Sequence, residues 1–399
     1  MKNLLTDRPE ILAILPELSD VRQPASCFSE RPVMNLLTPL LGYVRARNYE
    51  GADLFDGLNS LLFRETPLYK SKVFRLALLQ FCKQSPVDFR RLLLVPRGFN
   101  PKGGALFLLA HLNLLRQVGG EVYNNDAYIL YQRLKRLCIQ RRQGNAWGYH
   151  FDWQERAFYV QQGMPNLVTS VYVGRAMLEY YRQFQEPEAL ALALGVSEFI
   201  LDEMAKFENA KFICFSYVPG SDVEVHNANL LGAAYLAETL AYMPPDRQGE
   251  IHEKALKSVR FSLLDIGEDG SWPYGTRANH RWMDNIHTAC NIESLIKASI
   301  HLQSDEFLPV LKQVADYYLA NLFSEDGTPK YYSHQLYPID VRVLAETIVL
   351  FKTLRENALI WKPERLAQIE ARLLELSGAF QNPKEGFFYY QKLRNGWNR

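Results

Sequence analysis

The stretch from residue 226 to residue 272 reads HNANLLGAAYLAETLAYMPPDRQGEIHEKALKSVRFSLLDIGEDGSW. Its first part, 228–241, is rich in Ala, Gly and Leu, as expected of a helix that is crowded on every side. After a Pro-Pro turn, 249–264 carries apolar residues three and four positions apart among charged ones, which predicts an amphipathic helix. Gly270 and Trp272 follow. The stretch therefore predicts a helical hairpin with an inner and an outer helix, closed by a glycine turn and an aromatic residue.

The same unit recurs along the chain. The aromatic residues that follow successive predicted pairs are Trp147, Phe215, Trp272, Tyr331 and Phe388. Their spacing of roughly 58 residues suits two helices and two loops. Counting back one period from Trp147 gives a position near Leu92, at the end of a further predicted helical pair. With the five pairs that the aromatic residues follow, this makes six hairpins. We therefore predict an all-α fold, the (α/α)6 barrel or six-hairpin toroid, with an open α-solenoid as the alternative.

The amino-terminal part of the sequence is less regular. We expect residues 1–65 to form an irregular, partly helical extension packed on the barrel, and residues 66–399 to form the toroid. Pro86 is predicted to open a helix that runs to about Val95. The first twenty residues contain Asp, Glu and Pro where a signal peptide needs an apolar core, and no run approaches the roughly 20 apolar residues of a membrane span. We expect a cytoplasmic protein without a membrane span.

Composition excludes several classes of function. The formal net charge is +1, and the basic run 133–142 (RLKRLCIQRR) sits at helical spacing as a solvated face, so we expect no nucleic-acid partner. The five cysteines stand far apart, which argues against a disulfide framework or a thiolate zinc site. There is no HExxH, GxSxG, GxxxxGK[ST] or Rossmann glycine pattern. We expect no metal and no cofactor. The 13% of aromatic residues suits a ligand with apolar faces, such as a sugar or an isoprenoid.

Polar loops precede several of the predicted inner helices. In an (α/α)6 barrel such loops converge on one end of the central cavity. They are WGYHFDWQ (147–154), which continues through Asn166, then DVEVHNAN (222–229), DGSWPYGTRANHRWMDNIHTACN (269–291) and HQLYPIDVR (334–342). These four loops are the predicted rim of a polar-ligand site.

Two groups of residues in these loops suit acid–base chemistry. Asp284 and His287 stand at i and i+3, so they face the same way from the first turn of a helix and could act as acid and base. A buried structural pair is the alternative. His226, beside Asn227 and Asn229, could abstract a proton while the amides hold hydroxyls or a carboxylate. A satisfied cluster at a helix start would look the same.

Other residues are candidates for a catalytic acid and for substrate contacts. Asp152 stands between Phe151 and Trp153, where desolvation could raise its pKa and suit it to be a general acid. Asn166 and Asp340 are either helix caps or substrate contacts. Asn285 and Arg342 are further candidates for binding. The aromatic residues that could stack on sugar rings are Trp147, Tyr149, Trp153, Trp272 and Tyr274, with Trp153 and Trp272 first.

Several segments resemble a known family. They are WGYHFDWQ (147–154), PNLVTS (165–170), HNANLLGAAYLAE (226–238), DGSWPYG (269–275), DNIHTACNIESL (284–295) and GFFYYQ (386–391). In order and spacing they resemble bacterial polysaccharide-biosynthesis proteins of exopolysaccharide and capsule clusters, often mislabelled aminolevulinate dehydratases. The resemblance implies an (α/α)6 toroid that takes part in surface-polysaccharide assembly. A looser similarity, to terpenoid-cyclase-like toroids, is confined to 131–149 and 255–275, and the Asp-rich elements of those enzymes are absent.

The residues and the resemblance together favour a carbohydrate-active enzyme whose substrate is an oligosaccharide or polysaccharide intermediate. Hydrolysis, which we favour slightly, requires two carboxylates, for which Asp152, Asp284 and Asp340 are candidates. Elimination or epimerisation at a uronic acid requires a His or Tyr base, with Asn and Arg to neutralise the carboxylate. The residues that could supply this set are His226, Asn229, His287, Tyr274 and Arg342. A non-catalytic glycan-binding or assembly factor, with polysaccharide-assembly proteins as partners, is one alternative. An isoprenoid-binding toroid is another.

Overall fold

The structure is a computed structural model that describes residues 30–53, 55–85, 88–154, 159–360 and 362–398. The chain forms two compact units. The carboxyl-terminal unit comprises the described residues up to Ala46, together with Val225–Glu238 and Val259–Arg399. The amino-terminal unit comprises Arg47–Glu224 and Thr239–Ser258. The division into an extension at 1–65 and a toroid from 66 onward stays a prediction, and residues 1–29 lie outside the described residues.

Helices dominate both units. The α-helices are α1 (Glu30–Arg45), α2 (Leu61–Arg64), α3 (Lys72–Gln84), α4 (Pro101–Val118), α5 (Glu121–Arg136), α6 (Leu167–Phe184), α7 (Pro187–Phe199), α8 (His226–Thr239), α9 (Pro245–Leu263), α10 (Asn285–His301), α11 (Leu308–Asn321), α12 (Val341–Glu356) and α13 (Pro363–Phe380). From α4 onward they follow one another in the pairs that the sequence predicts. Of the described helices, none combines the length and the apolar character needed to cross a lipid bilayer.

Short antiparallel ribbons connect some of the helices. The strands are β1 (Ile139–Gln140), β2 (Asn145–Ala146), β3 (Trp153–Gln154), β4 (Tyr159–Val160), β5 (Ala205–Glu208), β6 (Ile213–Phe215), β7 (Ile339–Asp340), β8 (Gln391–Leu393) and β9 (Gly396–Asn398). They pair as β1–β2, β3–β4, β5–β6 and β7–β8–β9. The last sheet places the end of the chain against the residues that lead into α12, with Asp340 opposite Gln391.

Burial distinguishes the inner from the outer helices. In α8, Ala233, Ala234, Tyr235 and Leu236 follow one another and none is exposed to solvent. Four consecutive residues point in four directions around a helix, so α8 is surrounded by protein. The small residues of the quoted stretch therefore have the role that the sequence predicts, because they let neighbouring helices approach α8 closely.

Glycines with positive φ close the helical pairs. Gly270 has φ 84°, and a Cβ there would lie 2.4 Å from the carbonyl oxygen of Gln313 in α11. Only glycine adopts this conformation without strain and leaves room for the next outer helix. The same φ, within a degree, and the same close approach to a helix backbone recur at Gly144, Gly327 and Gly386. These four glycine turns are therefore a true structural repeat.

The last of these turns shows what α1 does in the carboxyl-terminal unit. A Cβ on Gly386 would lie 2.5 Å from the carbonyl oxygen of Pro39 in α1. Gln381 Nε2 donates a hydrogen bond to the carbonyl oxygen of Leu36 (2.7 Å), and the rings of Tyr43 and Phe387 lie 5.5 Å apart. The earlier glycine turns, at Gly144, Gly270 and Gly327, pack against the outer helix of the next pair. The last turn, at Gly386, packs against α1 instead, so α1 takes the place of an outer helix there.

The predicted helix from Pro86 to Val95 is wrong over its described part. Residues 88–95 contain no helix, 90–94 form turns, and Leu94 has φ 51°. Tertiary contacts override the helical pattern here, because Ser60 Oγ donates to the carbonyl oxygen of Leu93 (2.6 Å) and the Leu61 N–H donates to that of Leu94 (3.4 Å).

Candidate functional site

Asp284 and His287 form a hydrogen-bonded pair at the start of α10. Asp284 is the N-cap, and its Oδ1 accepts a hydrogen bond from the backbone N–H of His287 (2.9 Å). Its Oδ2 lies 2.6 Å from His287 Nδ1 and also accepts a hydrogen bond from Trp282 Nε1 (3.1 Å). Burial alone would raise the pKa of Asp284, but the charge and hydrogen bonds of His287 outweigh burial and lower it. We call Asp284 and His287 the dyad.

The dyad fixes how His287 can act. Nδ1 faces a carboxylate oxygen and therefore carries a proton, so the neutral ring has its lone pair on Nε2. Among the described residues, no hydrogen bond engages Nε2. The side chain of Asp284 is 1% exposed and that of His287 is 27% exposed. A buried carboxylate thus orients a partly exposed imidazole, which is the arrangement of a general base with its positioning group.

Aromatic rings surround one side of the dyad. Tyr274 stacks on Trp282 with ring centroids 4.6 Å apart, and its ring lies 4.5 Å from that of His287 in an edge-to-face arrangement. The backbone holds this group together, because the Tyr274 N–H donates to the carbonyl oxygen of Trp282 (2.9 Å). Such rings limit the access of water and suit the apolar face of a sugar.

A second capping aspartate starts the neighbouring helix α12. Asp340 is not exposed, and its carboxylate accepts hydrogen bonds from Arg342 Nε (3.0 Å) and Nη2 (2.8 Å) and from Gln391 Nε2 (3.0 Å). The guanidinium also donates from Nη2 to the hydroxyl of Tyr390 (3.0 Å). Burial works to lower the pKa of Arg342, but the hydrogen bonds and charge of Asp340 raise it overall. Arg342 is a fixed, partly exposed cation.

A thiol–carboxylate contact aligns these two helices. Cys290 Sγ lies 2.9 Å from Glu346 Oε1, and each residue stands six positions after its capping aspartate. Helices α10 and α12 pack against each other, so equal offsets mean that both begin at the same level. His287 and Arg342 therefore occupy the first turns of adjacent helices, at one end of the carboxyl-terminal unit.

Tyr331 connects the two helix starts. Its carbonyl oxygen accepts a hydrogen bond from the backbone N–H of Asn285 (2.9 Å). Burial, then the negative charge of Asp284, raise the pKa of its phenol well above the ordinary value, although Arg342 opposes this. Tyr331 therefore keeps its proton at neutral pH, and its hydroxyl can donate a hydrogen bond.

His226 is held on both ring nitrogens. Nε2 lies 2.9 Å from Asp265 Oδ2 and Nδ1 lies 3.2 Å from Ser262 Oγ, whose hydroxyl also accepts a hydrogen bond from Asn229 Nδ2 (2.9 Å). His226 is 1% exposed and Asn229 is not exposed. The hydrogen bond from His226 lowers the pKa of Asp265 to about 2, against burial and together with Arg281. These contacts fit the structural alternative for His226, and its catalytic role stays an untested prediction.

Asp152 lies in the amino-terminal unit and ties several segments together. Its carboxylate accepts hydrogen bonds from Arg64 Nη2 (2.7 Å), from the hydroxyl of Tyr69 and from the backbone N–H of Gln162 (2.7 Å). The residue is 5% exposed. Its oxygens are thus engaged by three donors, and its role as a general acid stays an untested prediction.

The predicted stacking residues differ in accessibility. Trp147 and Trp272 are 0% and 1% exposed, so both are core residues of the hairpin closures, and a sugar would have to open the core to reach either ring. Tyr149 and Trp153 are only half-buried. Their rings meet edge to face with centroids 5.9 Å apart, and Tyr149 shares a hydrogen bond with the hydroxyl of Tyr217 (2.8 Å).

Two of the predicted polar contacts serve the fold. Asn166 caps α6, because its side chain accepts a hydrogen bond from the backbone N–H of Thr169 (2.8 Å). Asn285 donates from Nδ2 to the carbonyl oxygen of Leu322 (3.0 Å) and accepts from the hydroxyl of Tyr318 (2.8 Å). Neither Asn166 nor Asn285 is exposed to solvent. Among the described residues there is also no group of three or more His, Cys, Asp and Glu arranged to hold a metal ion.

Several residues of the site are not among the sequence-based candidates. Trp282 stands two positions before Asp284 within the singled-out loop, and an indole so close to a predicted catalytic pair is a signal that could have found it. Tyr331 appears in the sequence only as a repeat marker. No local pattern marks Arg64, because 88 residues separate it from Asp152.

Comparison with known proteins identifies the fold. No protein-family model matches the chain, and no curated protein is similar to it in sequence. The structure is similar to cellobiose 2-epimerase from Bacillus thermoamylovorans, with a TM-score of 0.58, 14% identity, and coverage of 75% of this chain and 82% of that one. It is also similar to a family 76 glycoside hydrolase from Bacteroides thetaiotaomicron (TM-score 0.54, 12% identity, 72% and 61% covered).

A third similar structure is unsaturated glucuronyl hydrolase from Bacillus sp. GL1, with a TM-score of 0.53, 16% identity, and coverage of 73% of this chain and 78% of that one. Identities this low concern the fold and not the reaction. The chain has the all-α (α/α)6 toroid fold, as the sequence predicts, and the open solenoid is excluded.

Proposed function

We propose that this protein is an enzyme of surface-polysaccharide assembly that moves a proton at a carbon of an acidic sugar, with His287 as the base. The observation that carries the proposal is the dyad, in which Asp284 holds Nδ1 of His287 at 2.6 Å while no described residue forms a hydrogen bond with Nε2. A neutral imidazole held in one tautomer can accept a proton from a substrate and return it. Epimerisation and β-elimination both begin with such a step.

The charges near the dyad favour proton transfer over hydrolysis. Hydrolysis of a glycosidic bond requires an acid and a second carboxylate, both directed at the substrate. Within the carboxyl-terminal unit, Asp284 is engaged by His287 and Trp282, and Asp340 by Arg342 and Gln391. His287 is therefore the better-placed acid–base group, and we now favour proton transfer over the hydrolysis that the sequence slightly favours.

Arg342 supports a sugar that carries a carboxylate. A proton on the carbon next to a carboxylate becomes removable only if the charge that develops on that carboxylate is stabilised. Arg342 stands on the helix next to that of His287, its Nε and Nη2 are held by Asp340 and Tyr390, and its side chain is 36% exposed. The fixed cation and the proton-bearing Tyr331 could stabilise the charge while His287 takes the proton.

The comparisons support a sugar as the substrate. Three of the similar structures are a cellobiose 2-epimerase, a glycoside hydrolase and an unsaturated glucuronyl hydrolase. The resemblance to exopolysaccharide and capsule proteins supports the place in polysaccharide assembly. The polar groups around His287 disfavour the isoprenoid alternative. The half-buried Tyr149 and Trp153 offer a surface for a glycan, which favours the non-catalytic binding factor as a second candidate.

The test is solvent exchange. Oligosaccharides cut from the host's own surface polysaccharide are incubated with the protein in heavy water and analysed by mass spectrometry and NMR. We expect deuterium on an inverted sugar carbon for epimerisation. For elimination we expect a carbon–carbon double bond, formed by loss of that carbon's hydrogen and of the leaving group, and we expect neither product with His287→Gln. Products that gain only the mass of water would establish a hydrolase. Binding without any product would establish the glycan-binding alternative.

A further inference from the structure

An unusual concentration of exposed apolar side chains lies in the amino-terminal unit between residues 61 and 94. Val73 and Leu92 are each 71% exposed, Leu61 is 55%, Leu94 51%, Phe81 49% and Phe74 47%. Single exposed apolar residues are normal on a protein surface, but a continuous group marks an interaction site. We call these six residues the α3 surface.

Three of the six form a stripe on α3. At 3.6 residues per turn, Val73, Phe74 and Phe81 fall within about 100° of the helix circumference. Leu79, which is 3% exposed, points to the other side and anchors the helix on the protein. Helix α3 is therefore apolar on its outer face as well as on its inner one, which the packing of the unit itself does not require.

The other three residues are attached to the same region. The Leu61 N–H donates to the carbonyl oxygen of Leu94 (3.4 Å). The ring of Phe81 lies 5.2 Å from that of Phe89, which joins the end of α3 to the turns that carry Leu92 and Leu94. The contacts between these segments hold the exposed side chains on one part of the unit.

The charge of the region is one-sided. Residues 61–94 contain seven Lys or Arg and two Asp or Glu. Two of the seven, Arg64 and Arg90, are paired with Asp152 and Asp56 from outside this range, which leaves five cations against two carboxylates. Lys70 and Lys72 are exposed beside the start of the stripe, and Arg91 is exposed beside Leu92. The balanced charge of the whole chain conceals this local excess.

We infer that the α3 surface docks the protein on a membrane surface that carries anionic lipids. Apolar side chains flanked by cations are what an interfacial helix uses, since the former enter the acyl boundary while the latter meet the headgroups. Docking through a second copy of this chain is disfavoured, because a symmetric pair would bring two like-charged surfaces together. The inference does not depend on the proposed enzymatic activity.

Vesicle flotation of the full chain tests the inference. We expect binding to vesicles of phosphatidylcholine mixed with phosphatidylglycerol, weaker binding to phosphatidylcholine alone, and release by salt. The double variant Phe74→Ser/Phe81→Ser should bind about tenfold or more weakly, and Lys70→Gln/Lys72→Gln should lose the preference for anionic lipid. Leu264→Ser is the matched control, because Leu264 is 64% exposed in the carboxyl-terminal unit.

Three results would overturn the inference. One is no flotation with either vesicle, and another is flotation that the double Phe variant leaves unchanged. The third is a concentration-dependent dimer that the same variant abolishes, without vesicle binding, which would assign the surface to self-association. Thermal unfolding of each variant shows that lost binding is not lost folding.

Discussion

Asp284 makes two different hydrogen bonds with His287, one from each carboxylate oxygen. Oδ1 accepts from the backbone N–H at 2.9 Å and so caps α10, while Oδ2 lies 2.6 Å from the ring Nδ1 and so orients the imidazole. The sequence leaves open whether this is a catalytic or a buried structural pair, and in the structure one carboxylate both caps the helix and orients the imidazole. The two roles are separable, because a cap needs an oxygen and the orientation of His287 needs a charge.

Asp284→Asn should separate stability from activity. Asparagine caps as well as aspartate, so we expect the free energy of unfolding to change by less than about 1 kcal/mol. Loss of the charge removes the preference for the tautomer with Nε2 open, so turnover in the exchange assay should fall at least ~100-fold. Denaturant titration and the assay measure the two effects. Full activity of the variant would show that the dyad is structural, and Asp284→Ala, which also removes the cap, is the comparison.

The same carboxylate should give the protein a stability that disappears in acid. The folded-state pKa of Asp284 is lowered, with the charge and hydrogen bonds of His287 outweighing burial. Its contribution is therefore fully present above the unfolded pKa of about 3.9 and is lost as pH falls through the lower folded value. The free energy of unfolding, measured from about pH 6 downward, should fall less steeply in Asp284→Asn than in the unaltered protein. Equal slopes would contradict the lowered pKa.

Asp56 should have the opposite dependence. It is not exposed, and burial raises its pKa to about 6 although Arg90 Nε, at 2.8 Å, opposes the shift. A raised folded-state pKa stabilises the protonated form, so stability should decline by about 3 kcal/mol as pH rises from about 4 to about 6 and then level off. Asp56→Asn should remove that decline. Equilibrium unfolding of the unaltered protein and of Asp56→Asn, measured across this pH window, tests the prediction. An equal decline of the free energy of unfolding in the variant would contradict the raised pKa of Asp56.

The hairpin closure predicts opposite effects for two glycine substitutions. Gly270→Ala should cost at least about 2 kcal/mol, because its φ of 84° strains an L-residue and the new Cβ would meet the carbonyl oxygen of Gln313. Gly378 lies within α13, and a Cβ there meets nothing within 4 Å. Gly378→Ala should therefore stabilise the protein by up to about 1 kcal/mol. Thermal unfolding measures both, and similar effects at the two sites would contradict the assigned role of Gly270.

Arg342→Lys should raise the KM for an acidic sugar substrate. Lysine keeps the positive charge but loses the planar fork that Asp340 and Tyr390 hold in place. We expect KM to rise about tenfold for a uronate-containing oligosaccharide and to change little for the same oligosaccharide after carboxyl reduction. Arg260→Lys, which alters an exposed Arg–Glu pair, is the matched control. Equal effects on both substrates would remove Arg342 from the recognition of a carboxylate.

The fold could be predicted because its determinants are local and repeated. Periodicity three and four residues apart marks an amphipathic helix without knowledge of its neighbours. Gly270 and Trp272 mark a closure because the turn there has a positive φ and the indole ring is buried. The prediction failed at 88–95, where Ser60 and Leu61 capture the backbone oxygens of Leu93 and Leu94.

The site could be predicted only in part. The spacing of Asp284 and His287 implies a shared face, since both stand on one helical turn. The aromatic neighbours of Asp152 in the sequence predict a general acid, but its hydrogen-bond partners Arg64 and Tyr69 are more than eighty residues away. No local pattern could show that both oxygens of Asp152 are engaged or that Trp147 is buried.

By itself the sequence determined the helical hairpins from residue 101 onward, their closure, and the pairing of Asp284 with His287, because each depends on residues only a few positions apart. The tertiary structure decided which groups are still available for chemistry. It engages both nitrogens of His226, gives Nε2 of His287 no hydrogen-bond partner within the described part of the chain, and packs the helix of Arg342 beside that of His287, with Cys290 in contact with Glu346. Those outcomes depend on side chains brought together from distant parts of the chain, where hydrogen-bond partners and burial are set by packing.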